Sequence, residues 1–192
     1  MTLKDYIRLQ CGDNDETAQA LKDDEIHDLL IGAAVNPNSQ RFGEIAQSCL
    51  TGIRVLNRAG WVELTLTQLD REAVKFGCGI GGWLDEMTDV YVGDAYYPLA
   101  PTESVNNLTG VVEFAEPQTD KVAVRTYLVD LRKAVHDALM AIAGSESRLA
   151  IKADAGGAGA DLTKVAAELR TQAKEVMGHP TVTFSGAKDY PH

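Results

Sequence analysis

Residues 124–142 carry the most regular pattern in the sequence, VRTYLVDLRKAVHDALMAI. Apolar side chains recur there every three or four residues, and Gly144 follows the last of them. The apolar positions are Val124, Tyr127, Leu128, Leu131, Val135, Ala138, Leu139 and Ile142. Because a helix has 3.6 residues per turn, this spacing puts them on one face over about five turns. The pattern predicts a single long amphipathic helix, the clearest element of the chain.

Shorter helical patterns lie on both sides of this stretch. Upstream, the apolar spacing predicts helices over residues 2–11, from Asp23 or Asp24 onwards and over 41–58. Downstream, apolar and charged residues alternate over 148–154, which predicts a brief strand or extended arm, and a last helix is predicted over 161–176. Most of the chain is therefore expected to be helical.

The centre of the chain has a different pattern. Val62, Leu64 and Leu66 alternate with polar residues, which predicts a short strand. Residues 68–76 have a helical pattern again. Residues 83–117 combine β-branched and aromatic residues with prolines, which indicates an irregular, partly β segment.

Together these elements predict a fold class and a division of the chain. We expect a mainly α protein: a helical bundle with a small β component and an irregular, partly β insertion. Residues 1–40 and 121–178 would form the helical core, and residues 41–120 would form the inserted segment. Residues 179–192 would form an extended C-terminal tail.

The composition limits the possible function classes. The 192 residues include 18 Lys and Arg against 28 Asp and Glu, a net charge of −10, and 45% are apolar. The apolar content argues against wholesale disorder, and the acidity argues against a protein that grips DNA phosphates or anionic membranes. No apolar run approaches the roughly 20 residues of a membrane-spanning helix, and the N-terminus lacks a signal-peptide pattern. Three cysteines without a close pair favour a reducing interior over a disulfide framework.

Residues 77–82, GCGIGG, match the glycine spacing of a dinucleotide-binding loop. Such a loop follows a strand and opens a helix, whereas the residues before this one look helical. The second glycine cluster, residues 156–159, lacks the Lys-Ser/Thr ending of a phosphate-binding loop. We interpret both clusters as turns or hinges. A small cytoplasmic enzyme that binds a phosphate-bearing ligand at residues 77–82 stays open as an alternative.

The other chemically active side chains do not form a catalytic set in the sequence. Cys49 lies on an apolar helix face, Cys78 has no histidine at a supporting spacing, and His136 is interpreted as a packed histidine. Residues 13–15, DND, begin like a calcium loop, but Ala18 stands where that loop needs glycine. We therefore expect no enzymatic activity, no bound metal and no cofactor.

The N-terminal block has a characteristic order. A short helix leads to Gly12 and Asp13, a polar loop follows, and residues 21–26, LKDDEI, open the next helix. This order resembles the start of the head-tail connector (adaptor) proteins of tailed bacteriophages. The C-terminal third is similar to that family in layout: a long helix, a short extended arm and a final helix.

The resemblance covers about residues 2–34 and 122–177 and leaves residues 41–120 without a counterpart. It implies a structural protein of the virion that forms a ring of about a dozen copies around the DNA channel, beneath the portal protein. The implied partners are other copies of the chain, the portal protein and a downstream neck or tail component. The genomic DNA would pass through without sequence-specific binding, and no membrane is involved. The implied location is the head-tail interface of a virion assembled in the host cytoplasm; another phage neck or tail-completion protein is the alternative.

The C-terminal tail carries three spaced apolar anchors among polar residues, Val182, Phe184 and Tyr190. Alternation of this kind is typical of a segment that adds a strand to the sheet of a partner. In the resembled family, terminal segments often reach the portal or the next ring component. We predict that these three residues dock on a partner, and a frayed terminus is the alternative interpretation.

Overall fold

The computed structural model describes residues 1–13, 19–155 and 161–178. Within these ranges the chain divides into two compact units. The first, called the helical unit below, comprises Lys4–Ala33 and the described residues from Asp130 onwards. The second, called the β unit, comprises Met1–Leu3 and Ala34–Val129.

The described residues form α-helices, one short 3-10 helix and two antiparallel sheets. The helices are α1 (Leu3–Cys11), α2 (Asp23–Gly32), α3 (Gln40–Ser48), the 3-10 helix Asp85–Met87, α4 (Leu131–Ala143), α5 (Glu146–Ala155) and α6 (Leu162–Gly178). The strands are β1 (Ile53–Val55), β2 (Trp61–Thr65), β3 (Thr67–Gln68), β4 (Lys75–Gly77), β5 (Asp89–Val92), β6 (Ala95–Tyr96), β7 (Ser104–Asn106), β8 (Val111–Glu113) and β9 (Val122–Tyr127).

In the helical unit, α4 packs against α2, α5 and α6. Its apolar stripe is buried, with Leu139 and Ile142 almost inaccessible to solvent, and Leu169 and Ala173 of α6 are buried as well. His136 on α4 lies with Nδ1 3.0 Å from the carbonyl oxygen of Ala173. Removing this apolar surface from water is the main force that holds the helices together.

In the β unit, the two sheets have the strand orders β1-β2-β9-β5-β6 and β3-β4-β8-β7. Every pairing is antiparallel, and the register includes Leu64 opposite Val124 and Val124 opposite Val90. These side chains belong to a buried core that also holds Trp83, which is completely inaccessible to solvent. Both tryptophans of the chain, Trp61 and Trp83, therefore lie in the β unit.

The predicted fold class, a mainly α helical bundle with a small β component and an irregular insertion, is wrong. Of the described residues, 41% are helical and 21% are in strands, and the two antiparallel sheets make the fold an α/β mixture. The segment predicted to be irregular pairs into both sheets, because its β-branched and aromatic residues find partners elsewhere in the chain.

The predicted long helix over residues 124–142 is two elements. Residues 122–127 form β9, the central strand of the five-stranded sheet, and α4 begins only at Leu131. Asp130 separates them, because its carboxylate accepts a hydrogen bond from the backbone N–H of Arg132 and so caps α4. On one face of β9, Val122, Val124 and Thr126 are buried, whereas Arg125 and Tyr127 on the other face are only half-buried. The polar Thr126 on the buried face and the apolar Ala123 on the other obscure this alternation, so the helical spacing continued through the strand by coincidence.

Three other local predictions are also corrected. The helix predicted over 41–58 ends at Ser48, and Ile53–Val55 pairs with β2 instead. The stretch 68–76, predicted to be helical, is the end of β3, a turn over 69–74 and the start of β4, and the two strands pair with each other. The arm predicted over 148–154 is α5, whose Leu149 donates its backbone N–H to the carbonyl of Ser145. The helices predicted over 2–11 and 161–176 and from Asp23 are confirmed within one or two residues.

Among the described residues, no helix is both long enough and apolar enough to cross a bilayer.

Candidate functional site

The five-stranded sheet carries a row of four charged residues, one from each of four neighbouring strands. The register pairs Arg54 with Glu63, Glu63 with Arg125, and Arg125 with Asp89. Opposite charges are therefore adjacent at every step from β1 through β2 and β9 to β5. Cross-strand neighbours stand within about 5.5 Å of each other, so such pairs stabilise the sheet and define its register.

Glu63 is the centre of this row. Its carboxylate accepts one hydrogen bond from Nη2 of Arg54 at 2.8 Å and another from Nε of Arg125 at 2.9 Å. Partial burial raises the pKa of Glu63, but the hydrogen bonds from Arg125 and Arg54 outweigh it and hold the pKa below its ordinary value. The guanidinium of Arg125 also lies over the ring of Tyr91, 4.0 Å from its centre. This is the geometry of a cation–π contact.

A groove of about 430 Å³ opens beside this row, and we call it the sheet groove. It is lined by Thr51, Gly52, Ile53, Arg54, Glu63, Thr65, Tyr91, Gly93, Asp94, Lys121, Ala123 and Arg125. Tyr96 lies edge-on to Tyr91, with ring centres 6.0 Å apart, and is exposed. Arginine and tyrosine are enriched where proteins contact each other, so the sheet groove is chemically suited to a partner segment. Its lining contains no nucleophile paired with a base.

Replacing Glu63 with glutamine is expected to cost about 1 kcal/mol of unfolding free energy at pH 7, because the amide keeps the shape but loses the charge that both arginines contact. A carboxylate with a lowered folded-state pKa stabilises the protein above its unfolded pKa, and this contribution disappears as pH falls through the folded pKa. The difference between the two proteins should therefore shrink below about pH 4. Urea unfolding followed by tryptophan fluorescence measures it. The control is Glu113→Gln, since Glu113 and its partner Lys75 are both well exposed; a loss as large there would contradict the assigned role of Glu63.

The glycine-rich stretch 77–82 is a packed turn in the structure. The strand β4 precedes it, and the chain continues into the 3-10 helix Asp85–Met87. A methyl group added at Gly81 would lie 1.9 Å from the carbonyl oxygen of Leu108, and one added at Gly110 would lie 1.9 Å from that of Ile80. The two backbones touch, so these glycines serve close packing. A dinucleotide site instead needs an open loop at the N-terminus of a full helix.

The structure brings Cys49 and Cys78 together. Cys49 is the C-cap of α3, and the backbone N–H of the next residue, Leu50, donates to the carbonyl of Cys78 at 3.0 Å. The hydrogen bond from the Cys78 thiol, followed by those from Thr51 and Gly52, lowers the pKa of Cys49 to about 5, although burial opposes this. The pKa of Cys78 is raised by the same contact and by burial.

The aspartate of the calcium-like start, Asp13, has a structural role in the helical unit. Its carboxylate accepts the backbone N–H groups of Ala20 and Leu21 and a hydrogen bond from Nη1 of Arg8 at 3.2 Å. Arg8 also donates to Asp23 at 2.6 Å, and this bond is the main reason that the pKa of Asp23 is lowered. The described part of the chain holds no group of three His, Cys, Asp or Glu side chains arranged for a metal ion.

The predicted docking residues Val182, Phe184 and Tyr190 lie outside the described residues, as does the glycine cluster 156–159. Sequence reasoning missed both the charge row and the contact between Cys49 and Cys78. The alternation around Glu63 indicated only that this side chain faces away from the core. Its arginine partners come from β1, which was predicted to be helical, and from β9, which lies about 60 residues away.

No protein-family model matches this chain, and no curated protein or solved structure has significant similarity to it.

Proposed function

We propose that this chain is a structural subunit of the head-tail connector of a tailed bacteriophage, forming a ring beneath the portal protein. One observation carries the proposal. The resemblance rests on two segments at opposite ends of the sequence, and most of both segments folds into one helical unit, Lys4–Ala33 with the residues after Asp130. Segments that share an ancestry as one structural module are expected to pack together in this way.

The residues that carry the N-terminal resemblance also have a physical role in this unit. Gly12 adopts a φ of 61°, which ends α1, and Asp13 then ties the chain back to Arg8 and forward to Leu21. Asp23 opens α2 and completes the contact with Arg8. The residues of the N-terminal resemblance therefore determine how α1 and α2 are joined. This is the role that we expect for residues that recur in a shared structural module.

In its C-terminal region the proposal uses the helices as the structure has them, not as the sequence predicted them. This region consists of three helices in sequence, α4, α5 and α6, with α4 packed on α6 and α5 on both. The β unit enters the chain between Ala33 and Asp130 and is an addition to the resembled layout. Its sheet groove, with Arg54, Tyr91 and Arg125, offers this subunit a second contact surface for a neighbouring virion protein.

Charge and exposed apolar side chains fit the same role. A net charge of −10 per subunit, multiplied around a ring, makes a strongly negative field that lets DNA slide past instead of binding. Ring contacts are heterologous, with one patch of each subunit meeting a different patch of the next. The helical unit has exposed apolar side chains that could serve such patches: Leu9, Ile31, Met140 and Met177.

The experiment is to purify the full chain and examine it by mass photometry and negative-stain microscopy, alone and with portal particles. We expect closed rings, either spontaneously or when the portal is added. A chain that stays monomeric at micromolar concentration in the presence of its portal would contradict the proposal. So would steady turnover of a small molecule.

Deleting residues 180–192 is expected to leave the fold intact and to weaken binding to the portal at least tenfold. The physical reason is that an extended segment contributes backbone hydrogen bonds and anchors such as Phe184 only when it is bound. Binding is measured by pull-down or by interferometry on immobilised portal particles, and circular dichroism checks the fold. The matched control keeps the full length and changes Val182, Phe184 and Tyr190 to serine. Unchanged affinity in both variants would eliminate the tail as a docking segment.

A further inference from the structure

The contact between Cys49 and Cys78 joins two parts of the β unit that are far apart in sequence. Cys49 follows the last turn of α3, and Cys78 lies in the turn after β4. The backbone hydrogen bond from Leu50 to Cys78 holds the two segments side by side, and Cys49 packs against the buried cluster that includes Cys78. Gly79 adds to this fit, because a methyl group there would approach Leu50 to 3.1 Å.

The two sulfurs have different surroundings, which suit different chemical roles. Cys49 is half-buried, so a small reagent can reach it, and its sulfur lies 3.9 Å from the hydroxyl oxygen of Thr51. Its neighbours, Cys78 first and then Thr51 and Gly52, lower the pKa of Cys49 and so favour the thiolate, the reactive form of cysteine. Cys78 is fully buried, and its thiol lies 3.6 Å from the carbonyl oxygen of Ile80. A reagent from solvent therefore meets Cys49 first.

We propose that Cys49 and Cys78 are a reactive thiol pair that a small disulfide oxidant, such as glutathione disulfide, converts to an intramolecular disulfide. The Cys49 thiolate attacks one sulfur of the oxidant, so a bond from Cys49 to that sulfur forms and the oxidant's own S–S bond breaks. The first glutathione leaves as a thiolate and takes up a proton. Cys78 then loses its proton and attacks the Cys49 sulfur, which releases the second glutathione. The two cysteine thiols lose two electrons in total, and glutathione disulfide gains them.

The Cys49–Cys78 disulfide would link the end of α3 covalently to the packed turn at residues 77–82. A disulfide restricts the unfolded chain, which here would be closed between residues 49 and 78. The reaction does not depend on the proposed role in a virion, because it uses only contacts within the β unit. Cys11 is the built-in comparison, since it is buried in the helical unit.

The test treats the full chain with glutathione disulfide at pH 7 and reads the product by intact mass and non-reducing peptide mapping. We expect a loss of two hydrogens, a peptide cross-link between Cys49 and Cys78, and a rise of roughly 5 °C in the thermal midpoint that dithiothreitol reverses. Cys11→Ser should behave like the wild type. Cys78→Ser should stop at one glutathione bound to Cys49, and Cys49→Ser should not react.

Two results would overturn the proposal. One is a wild-type product in which Cys49 and Cys78 are not linked, including no reaction at all. The other is glutathione attached to Cys78 or Cys11 while Cys49 stays unmodified. A further measurement needs no variant: brief treatment of the wild type with iodoacetamide at pH 7 should label Cys49 at least tenfold faster than either of the other cysteines. Equal labelling of all three would also contradict the assignment.

Discussion

Replacing Gly81 with alanine is expected to destabilise the β unit by about 4 kcal/mol, among the largest effects of a single methyl group. The added carbon would stand 1.9 Å from the carbonyl oxygen of Leu108, 2.6 Å from its carbonyl carbon and 2.9 Å from that of Thr109. All three atoms belong to the backbone, so no side-chain rotation can relieve the clash. The turn would have to separate from the segment that leads into β8.

Urea unfolding measured by tryptophan fluorescence reports this effect, because Trp61 and Trp83 both lie in the β unit. The matched control is Gly43→Ala in α3, where no neighbouring atom lies within 4 Å of the added carbon. That substitution should stabilise the protein by roughly 0.5–1 kcal/mol, because alanine favours a helix interior. Similar small effects at both positions would mean that the two backbones are not in contact in solution.

Replacing Asp13 with alanine is expected to cost about 3–5 kcal/mol in the helical unit. The side chain is 3% exposed and satisfies two buried backbone N–H groups, at 2.7 Å from Ala20 and 3.1 Å from Leu21. Its loss leaves these donors without a partner and leaves Arg8, itself only 7% exposed, with less compensation for its charge. Removing one partner of a buried ionic group is far more costly than removing an exposed one.

Asp23→Ala is the control for this prediction, because Asp23 contacts the same guanidinium with a side chain that is 75% exposed. We expect a loss of at most about 1 kcal/mol there. Asp13→Asn should fall between the two, since the amide keeps the shape with one acceptor oxygen. Because the helical unit contains no tryptophan, far-UV circular dichroism is the suitable probe. Equal losses of unfolding free energy for Asp13→Ala and Asp23→Ala would contradict the prediction, because burial of the Asp13 contact would then add nothing to stability.

Both predictions concern residues whose type was visible in the sequence while their role was not. The spacing of residues 77–82 matched a phosphate loop, and residues 13–15 matched the start of a calcium loop. In the structure, position 81 requires glycine because the backbone of Leu108 lies against it. Position 13 requires a carboxylate because Arg8 and two backbone N–H groups donate to it. A local motif shows which residue type stands at a position, whereas the residues that contact it in the fold determine its role.

The candidate site was beyond sequence reasoning for the same reason. Arg54, Glu63 and Arg125 form a row only once β1, β2 and β9 lie side by side. Cys49 and Cys78 were interpreted separately, because their separation in the sequence does not predict that they lie close together. Pairs of this kind depend on the register of distant strands and on loop packing, which single-residue patterns do not encode.

Local chemistry in the sequence was sufficient for elements that stabilise themselves through neighbouring residues. The last helix follows from its cap, Asp161, whose carboxylate accepts the backbone N–H of Thr163. The helices over 2–11 and from Asp23 follow from the apolar stripe that each helix carries within itself, whereas the aspartate cap predicted for α2 is wrong, because Lys22 is the N-cap. The sheets did not follow, because a strand satisfies its backbone only through a partner that can be anywhere in the chain. The stretch 124–142 contains both cases. Its second half is helical by local spacing, whereas its first half is a strand because β2 and β5 lie on either side of it and accept and donate its hydrogen bonds.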